Sequence, residues 1–359
     1  MAETRQPGNS RKISLGFLGV GWIGFNRLKS LVESRQVQVE AAALADPAEA
    51  ATRQVLSEFP AIRRFYGLEE LLAQDLDGIV IATPSALHAD QAIRALAAGF
   101  PVFCQKPLAR SAAETRQVLA AARKADRLLG IDLSYRHVEG MQQLREMIQV
   151  GEIGSVYAVD LVFHNAYGPD KEWYYDPASA GGGCLMDLGI HLVDLALWTL
   201  GSAEISKVTA CLLAGGRPLA NRRNAVEDYA LAHFQMNGAT VSLACSWNLP
   251  AGCEAVINAS FYGTKGGLAV RNVNGSFFQF VCEVLKGTNR EVLAGPSAGW
   301  WGKAAEAWAG NLAASPAYDP GVETVLAVAE VLEAIYEAAC LPEDRHITGS
   351  RLKTSRHSL

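Results

Sequence analysis

The segment Gly181-Gly182-Gly183-Cys184-Leu185-Met186-Asp187-Leu188-Gly189-Ile190-His191-Leu192-Val193-Asp194 concentrates the groups most able to do chemistry. Three glycines free the backbone just before a helical pattern. Asp187 and His191 are four residues apart, which sets both on one helical face, and Asp194 lies on the same stripe one turn further. Leu185, Leu188, Leu192 and Leu195 supply apolar flanks. An imidazole that titrates near neutrality beside a carboxylate can move a proton. The same pair could bind a metal, but further ligands at suitable spacing are lacking, so no metal is expected. In isolation these residues would also suit a hydrogen-bonded core histidine with two capping acids.

A second cluster stands near the start. Gly19-Val20-Gly21-Trp22-Ile23-Gly24 is a GxGxxG between an apolar strand and a helix, and Asp46 ends the next strand. Glycines there permit a tight turn and close backbone approach, so that a pyrophosphate can sit on the N-terminus of the helix beginning near Trp22, with Ile23 in the same turn. Asp46 can accept hydrogen bonds from adenosine ribose hydroxyls. Its charge would repel a 2′-phosphate, and no arginine directly follows it, so NAD is expected over NADP. Thr83-Pro84 and Gln105-Lys106-Pro107 end two further strands on the edge that faces the ligand crevice. Lys106 beside a nicotinamide would serve as a hydrogen-bond donor or proton carrier.

These residues need a scaffold, and the chain supplies one in two halves. Strand and helix patterns alternate through the first third: strands over 12–18, 37–45, 77–82, 101–104 and 128–133, a short one over 63–66, and helices over 22–33, 85–98 and 111–125. Apolar rather than alternating strands argue for a parallel sheet covered on both faces. The rhythm changes after about Tyr135. A helix over 138–150 and a strand over 155–164 precede the glycine-rich loop and helix of 181–200. Strand candidates follow at 205–213, 229–236, 240–247, 254–262 and 268–270, with Asn237-Gly238 as a hairpin signal, and a helix over 322–340 closes the chain. The expectation is an α/β protein: a Rossmann dinucleotide-binding domain over 1–135, whose residues 1–11 form a flexible tail, then an α+β domain over 136–359 with a large, mostly antiparallel open sheet for substrate binding and oligomerisation.

Composition limits the partners. Half of the 359 residues are apolar, 19% are charged and the net charge is −5. No basic stripe fits a phosphate backbone, so no nucleic acid is expected. No uninterrupted apolar run reaches membrane length and no secretory signal opens the chain, so neither a membrane nor export is expected. The seven cysteines are scattered without paired spacing, which reads as reduced thiols in a cytoplasmic protein.

Taken together the residues resemble the Gfo/Idh/MocA family, the relatives of glucose-fructose oxidoreductase and inositol dehydrogenase. The resemblance rests on Gly19 to Gly24, Asp46-Pro47, Ala82-Thr83-Pro84 with His88, Gln105-Lys106-Pro107, Gly181 to Asp194, Gly263-Thr264-Lys265-Gly266 and the final helix, from about Ile13 to Ile347. It implies hydride transfer between NAD(P) and a sugar, polyol or cyclitol hydroxyl. It also implies Lys106, Asp187 and His191 as catalytic residues, and a homodimer or homotetramer formed through the second-domain sheet. One position departs: the family usually has Glu before the lysine, and here Gln105 keeps hydrogen-bonding capacity but loses the charge, leaving Lys106 without that neighbouring carboxylate.

The expected chemistry follows. A substrate hydroxyl gives its proton to His191, Lys106 holds the same oxygen, and Asp187 orients a hydroxyl or tunes the histidine; Asp194 could instead bond the other imidazole nitrogen. Arg136 could reach the cofactor or form a domain-junction salt bridge. Asn165, Tyr167, Trp173, Tyr174 and Trp300-Trp301 are weaker candidates for the substrate pocket. Two other readings fit the same residues: a tightly held NAD in an internal redox cycle, such as epimerisation, elimination or glycoside cleavage, and a sensor of NAD and sugar without turnover.

Overall fold

The structure, a computed structural model, describes residues 12–201 and 204–339. The expected tail over 1–11 lies outside the described residues. The first unit runs β1 (Ile13–Leu18), α1 (Trp22–Val32), β2 (Val39–Ala45), α2 (Glu49–Glu58), β3 (Arg63–Phe65), α3 (Leu68–Leu72), β4 (Gly78–Ile81), α4 (Ser85–Ala97), β5 (Val102–Cys104), α5 (Ala112–Ala125) and β6 (Leu129–Ile131). Its six strands are all parallel in the order β3-β2-β1-β4-β5-β6. The order reverses between β1 and β4, so the carboxyl ends of those strands open the crevice where a dinucleotide binds in such sheets. Both sheet faces are covered, which is why β1 and β4 read as continuous apolar runs. Leu28 and Leu31 of α1 pack on one face, and Ala92, Leu96, Val118 and Ala122 of α4 and α5 on the other.

The second unit continues with α6 (Met141–Gln149), β7 (Val156–Asn165), α7 (Pro177–Ala180), a wide π-helical turn over Leu185–Gly189, α8 (Ile190–Leu200), β8 (Ile205–Ala214), β9 (Arg217–Pro218), β10 (Tyr229–Met236), β11 (Ala239–Ser246), β12 (Ala255–Gly263), β13 (Gly266–Asn272), β14 (Phe280–Lys286) and β15 (Asn289–Ser297), then α9 (Lys303–Ala314) and α10 (Thr324–Ala339). Its nine strands are ordered β15-β14-β13-β12-β7-β11-β10-β8-β9; β7 and β11 run parallel and the other pairs antiparallel. Asn237 and Gly238 both adopt positive φ in the β10–β11 turn, as the hairpin signal requires. Pro177–Leu200 is long and apolar enough to cross a membrane, but 83% of its most apolar window is buried inside the protein, where α8 packs on the sheet.

Packing crosses the expected division at residue 135. α9, which the sequence did not reveal, returns to the first unit: Ala304, Ala305, Trp308, Ala309 and Leu312 join the core of Leu15, Phe17 and Phe103. The Trp308 indole lies over two strand glycines. A Cβ at Gly130 would come within 2.6 Å of Trp308 Cδ1, and one at Gly78 within 3.0 Å of its Cη2. α10 also serves both units, with Val325 in the first core and Val328, Val331, Leu332, Ile335 and Tyr336 in the second. The helices α2 and α3 and the strands β14 and β15 are further elements that the sequence patterns left unassigned.

Candidate active site

The glycine turn is shaped for a dinucleotide, and each glycine has its own reason. Gly19 has φ +85° and a Cβ there would meet Ala82 O at 2.6 Å. Gly24 is pressed against the Gly19 carbonyl oxygen, 2.2 Å from its ideal Cβ. Gly21 faces open space, with nothing within 4 Å of its Cβ, directly over the N-terminus of α1. No side chain caps that terminus. The first amide groups of α1, with room for close approach at Gly21, fit a pyrophosphate. Asp46 is buried, and its carboxylate accepts from the Val20 and Ala48 amides, each at 2.7 Å. It therefore sits on the glycine turn itself, with its remaining lone pairs available to ribose hydroxyls. Trp22 is largely exposed on the same turn, edge-on to Trp301.

His88 ties together the two loops at the crevice. Its Nδ1 lies 2.7 Å from Pro107 O and its Nε2 2.7 Å from Thr83 O. Burial holds its pKa below the usual histidine value, against the opposing pull of those carbonyls. Thr83 Oγ1 bonds Gln91, and Pro84 occupies the N-cap of α4, so the side chains of both are committed to the loop.

Lys106 reaches across from this loop to the second unit. Its Nζ donates to Asp187 Oδ1 at 2.6 Å and to Asp187 O at 2.8 Å, and Trp247 Nε1 donates to Asp187 Oδ2 at 3.1 Å. The expectation that Lys106 lacks a carboxylate neighbour is thus overturned: Asp187 supplies the charge that residue 105 does not. Asp187 sits in the π-helical turn and turns both its carboxylate and its carbonyl to the lysine. His191, at the start of α8, is 9% exposed. Its Nδ1 is buried without a partner among the described residues, and the residue borders a small apolar cavity of about 10 Å³ lined also by Tyr135, Phe163, Leu192 and Phe280. Burial holds its pKa well below the usual value, and the charges of Lys106 and Arg27 add to the effect. The Tyr135 ring lies 4.8 Å from the imidazole. Burial, and then the Asp187 charge, push the Tyr135 and Tyr174 phenols upward, so both remain neutral donors facing that carboxylate's field.

Other candidates fall into place differently. Asp194 does not reach the imidazole. It is buried and holds the Arg136 guanidinium through both oxygens, with Nε at 2.8 Å from Oδ2. Arg136 is therefore engaged in the salt bridge at the junction of the two units. Asn165 ends β7 with a buried Oδ1 that has no partner among the described residues. Trp173 and Tyr174 stack with ring centroids 3.8 Å apart. Tyr167 is half-exposed, with its ring 5.7 Å from Phe277. Trp300 is fully buried, donates to Phe278 O at 2.8 Å and packs on Tyr135; Trp301 faces Trp22.

Sequence reasoning missed three supporting groups. Trp247 was assigned only as a strand end, with no sign of its contact with Asp187. Glu227, 1% exposed, accepts from Gly183 N at 2.9 Å, Leu185 N at 3.0 Å and Tyr336 Oη at 2.8 Å, and so clamps the triple-glycine loop. Asp132, 1% exposed, accepts from Arg27 Nε, Gln105 Nε2 and Ser134 Oγ. A carboxylate at position 105 would face Asp132 directly, which gives a local reason for glutamine there. The Glu227-Asp228 pair before an apolar strand was a visible signal; nothing near Asp132 marked it. Among the described residues, no three His, Cys, Asp or Glu side chains converge as metal ligands.

A Rossmann sheet with a glycine cradle, whose Lys106 reaches Asp187 beside the His191 helix of the second unit, defines a nicotinamide-dependent oxidoreductase. The chain belongs to the Gfo/Idh/MocA family: residues 13–133 match the oxidoreductase family's NAD-binding Rossmann fold and residues 141–269 its C-terminal domain. D-glucoside 3-dehydrogenase of Escherichia coli (strain K12) is 26% identical over 75% of this chain and 79% of its own. GenD2 from gentamicin A biosynthesis, solved in complex with NAD, superposes with a TM-score of 0.76 at 25% identity, over 94% of this chain and 97% of that one. KijD10, a 3-ketoreductase from Actinomadura kijaniata solved with NADP and TDP-benzene, shares the fold with a TM-score of 0.77 at 23% identity, over 91% and 98%.

Proposed function

We propose that this protein is an NAD-dependent dehydrogenase acting on a secondary hydroxyl of a sugar, sugar derivative, polyol or inositol. The observation that carries the reading is the Lys106–Asp187 ion pair, which bridges the cofactor crevice to the helix bearing His191. A bound NAD supplies a hydride acceptor at nicotinamide C4. Gly19, Gly21, Trp22, Ile23, Gly24 and Asp46 would hold its adenosine and pyrophosphate, while Thr83, Pro84, Gln105 and Lys106 would frame its nicotinamide end.

Lys106 Nζ donates to the substrate oxygen and stabilises its developing negative charge. Burial and nearby cations hold His191 neutral, and we assign its Nε2, the ring nitrogen other than the buried and unpartnered Nδ1, to take the hydroxyl proton. Accepting there leaves the ring N–H on the unpartnered Nδ1, and the imidazolium then formed is a strong acid. The same arrangement returns the proton readily, so it also serves carbonyl reduction. Asp187 holds Lys106 in place and, with Trp247 fixing its other oxygen, offers an acceptor to a neighbouring hydroxyl. The Trp173–Tyr174 stack would supply an aromatic face for a ring substrate.

The preference for NAD over NADP rests on Asp46, with Arg64 turned to Glu49 at 2.8 Å. We also propose a cytoplasmic protein, consistent with free thiols at the six described cysteines. A homodimer or homotetramer through the sheet is supported by the alternating burial along β10 and β11, the pattern of a sheet covered on one face. Residues 1–135 would form the cofactor domain together with α9.

A panel of sugars, glycosides, inositols and sugar acids with NAD and with NADP, followed by absorbance of the reduced cofactor, tests the reading. Turnover of at least one neutral polyhydroxy substrate with NAD is expected. NAD that stays bound while a sugar is converted without net reduction would replace it with an internal redox cycle. Saturable NAD and sugar binding with no conversion would replace it with a sensor.

A further inference from the structure

Beneath the nicotinamide end of the crevice lies a buried polar cluster in which only Gln105 is among the residues assigned above to the cofactor. Arg27, Gln105, Asp132 and Ser134 are 2%, 7%, 1% and 4% exposed. They come from α1, the loop after β5 and the end of β6, the elements that wall the cofactor cleft. Asp132 Oδ2 accepts from both Arg27 Nε and Gln105 Nε2, and Oδ1 accepts from Ser134 Oγ. Arg27 also donates through Nη2 to Ser134 Oγ at 3.3 Å and lies over the Trp301 ring, with Cζ 4.8 Å from its centroid.

We propose that Asp132 is a positioning residue: it fixes the Gln105 carboxamide so that only the carbonyl oxygen faces the cleft. An ionised carboxylate accepts hydrogen bonds and cannot donate, so the amide nitrogen must turn toward Asp132. The amide oxygen then points the other way, where no described residue bonds it. The cleft is thereby given an acceptor at that point and denied a donor. The chemistry it selects is a hydroxyl or amide N–H of the nucleotide, which rests on the NAD reading above. Arg27 makes the arrangement stable, because a buried carboxylate keeps its charge only beside a buried cation. A carboxylate at position 105 would confront Asp132 at hydrogen-bond distance, and such a pair holds one proton between its members.

The test compares wild type with Gln105→Glu, Asp132→Asn and the double variant. NAD dissociation constants are read from tryptophan fluorescence, and thermal midpoints of the NAD-free proteins are followed, both from about pH 5.5 to 8.5. In Gln105→Glu the protonated carboxyl can donate to Asp132 and present its carbonyl as the amide does; the ionised one cannot. NAD affinity relative to wild type is therefore expected to be weaker by about tenfold or more at the alkaline end and to recover as pH falls. The thermal midpoint should fall behind wild type over the same rise in pH, because the folded carboxyl titrates above its unfolded value. Asp132→Asn alone should destabilise through the unpaired Arg27. In the double variant the carboxylate and amide exchange places beside Arg27, so the pH dependence should vanish and affinity should exceed that of either single variant. A Gln105→Glu protein with wild-type affinity and midpoint at every pH would overturn the proposal, as would a pH dependence that persists in the double variant. Failure of the wild type to bind NAD would refute the NAD reading, while the NAD-free midpoints would still decide for or against the Asp132–Gln105 pairing.

Discussion

Lys106→Met removes the ammonium while keeping most of the side-chain length. Lys106 and Asp187 are only 16% and 15% exposed, so screening is incomplete and the orphaned carboxylate matters. Breaking a fully buried pair costs about 3–5 kcal/mol; with residual exposure and Trp247 still donating to Oδ2, about 2 kcal/mol of stability is the expected loss. The catalytic effect should be larger. Loss of one donor aimed at a developing oxyanion costs about 100- to 1,000-fold in turnover, roughly 2.7–4 kcal/mol. NAD affinity, set mainly by the glycine turn and Asp46, should change by less than about tenfold, or 1.4 kcal/mol. Because Lys106 and Asp187 act as one unit, Lys106→Met/Asp187→Asn should be little worse than Lys106→Met alone. The assay is the kcat for the best substrate of the panel, with fluorescence titration of NAD and a denaturant melt for each variant. Strictly multiplicative losses in the double variant, or a kcat within about threefold of wild type for Lys106→Met, would refute the reasoning.

Three further outcomes follow from the same geometry. Gly21→Ala should fold normally, since its Cβ enters open space, yet bind NAD at least about tenfold more weakly; Gly24→Ala should lose about 1–3 kcal/mol in a melt, since its Cβ meets the Gly19 carbonyl oxygen at 2.2 Å. Buried His88 and His191 have depressed folded pKa values, so the unfolded chain takes up protons first and stability is lost as pH falls through the unfolded value of 6.5. The neutral His191 site should cost about 1.4 kcal/mol by one unit below that value, and His191→Leu should flatten the pH dependence of the melt by that share. Glu227→Ala should lose about 3 kcal/mol by orphaning the Gly183 and Leu185 amides and the Tyr336 hydroxyl, whereas Glu227→Gln should lose little, since burial already favours the neutral form and an amide oxygen can still accept.

The parts of this site that could be read from the chain were those with a local signature. Gly19 to Gly24 and Asp46 are close in sequence and their roles depend on backbone shape, so spacing alone located them. Asp187 and His191 were found because helical periodicity places them together, although the turn between them is wider than an α-helix. What escaped notice was long-range. Asp132 lies 105 residues from Arg27 and 27 from Gln105, and Trp247 lies 60 from Asp187. No periodicity connects such pairs; only the strand order brings them together. The same holds for Asp194, whose stripe position pointed to His191 while a guanidinium 58 residues away claimed it. The helix α9 was overlooked for a related reason: its apolar face is read by Gly78 and Gly130, small residues whose meaning in a strand appears only when the covering side chain is known.

That indole over two glycines has a consequence for how the molecule can be divided and how it can move. A fragment ending at residue 135 would expose the floor of the Trp308 socket, about the loss of a buried tryptophan, or 3–5 kcal/mol. The chain crosses between its two halves after β6, again into α9, and a third time into α10. Three covalent crossings allow the halves to rock about a shared edge but not to swivel freely. Connectivity as well as charge therefore keeps Lys106 near Asp187.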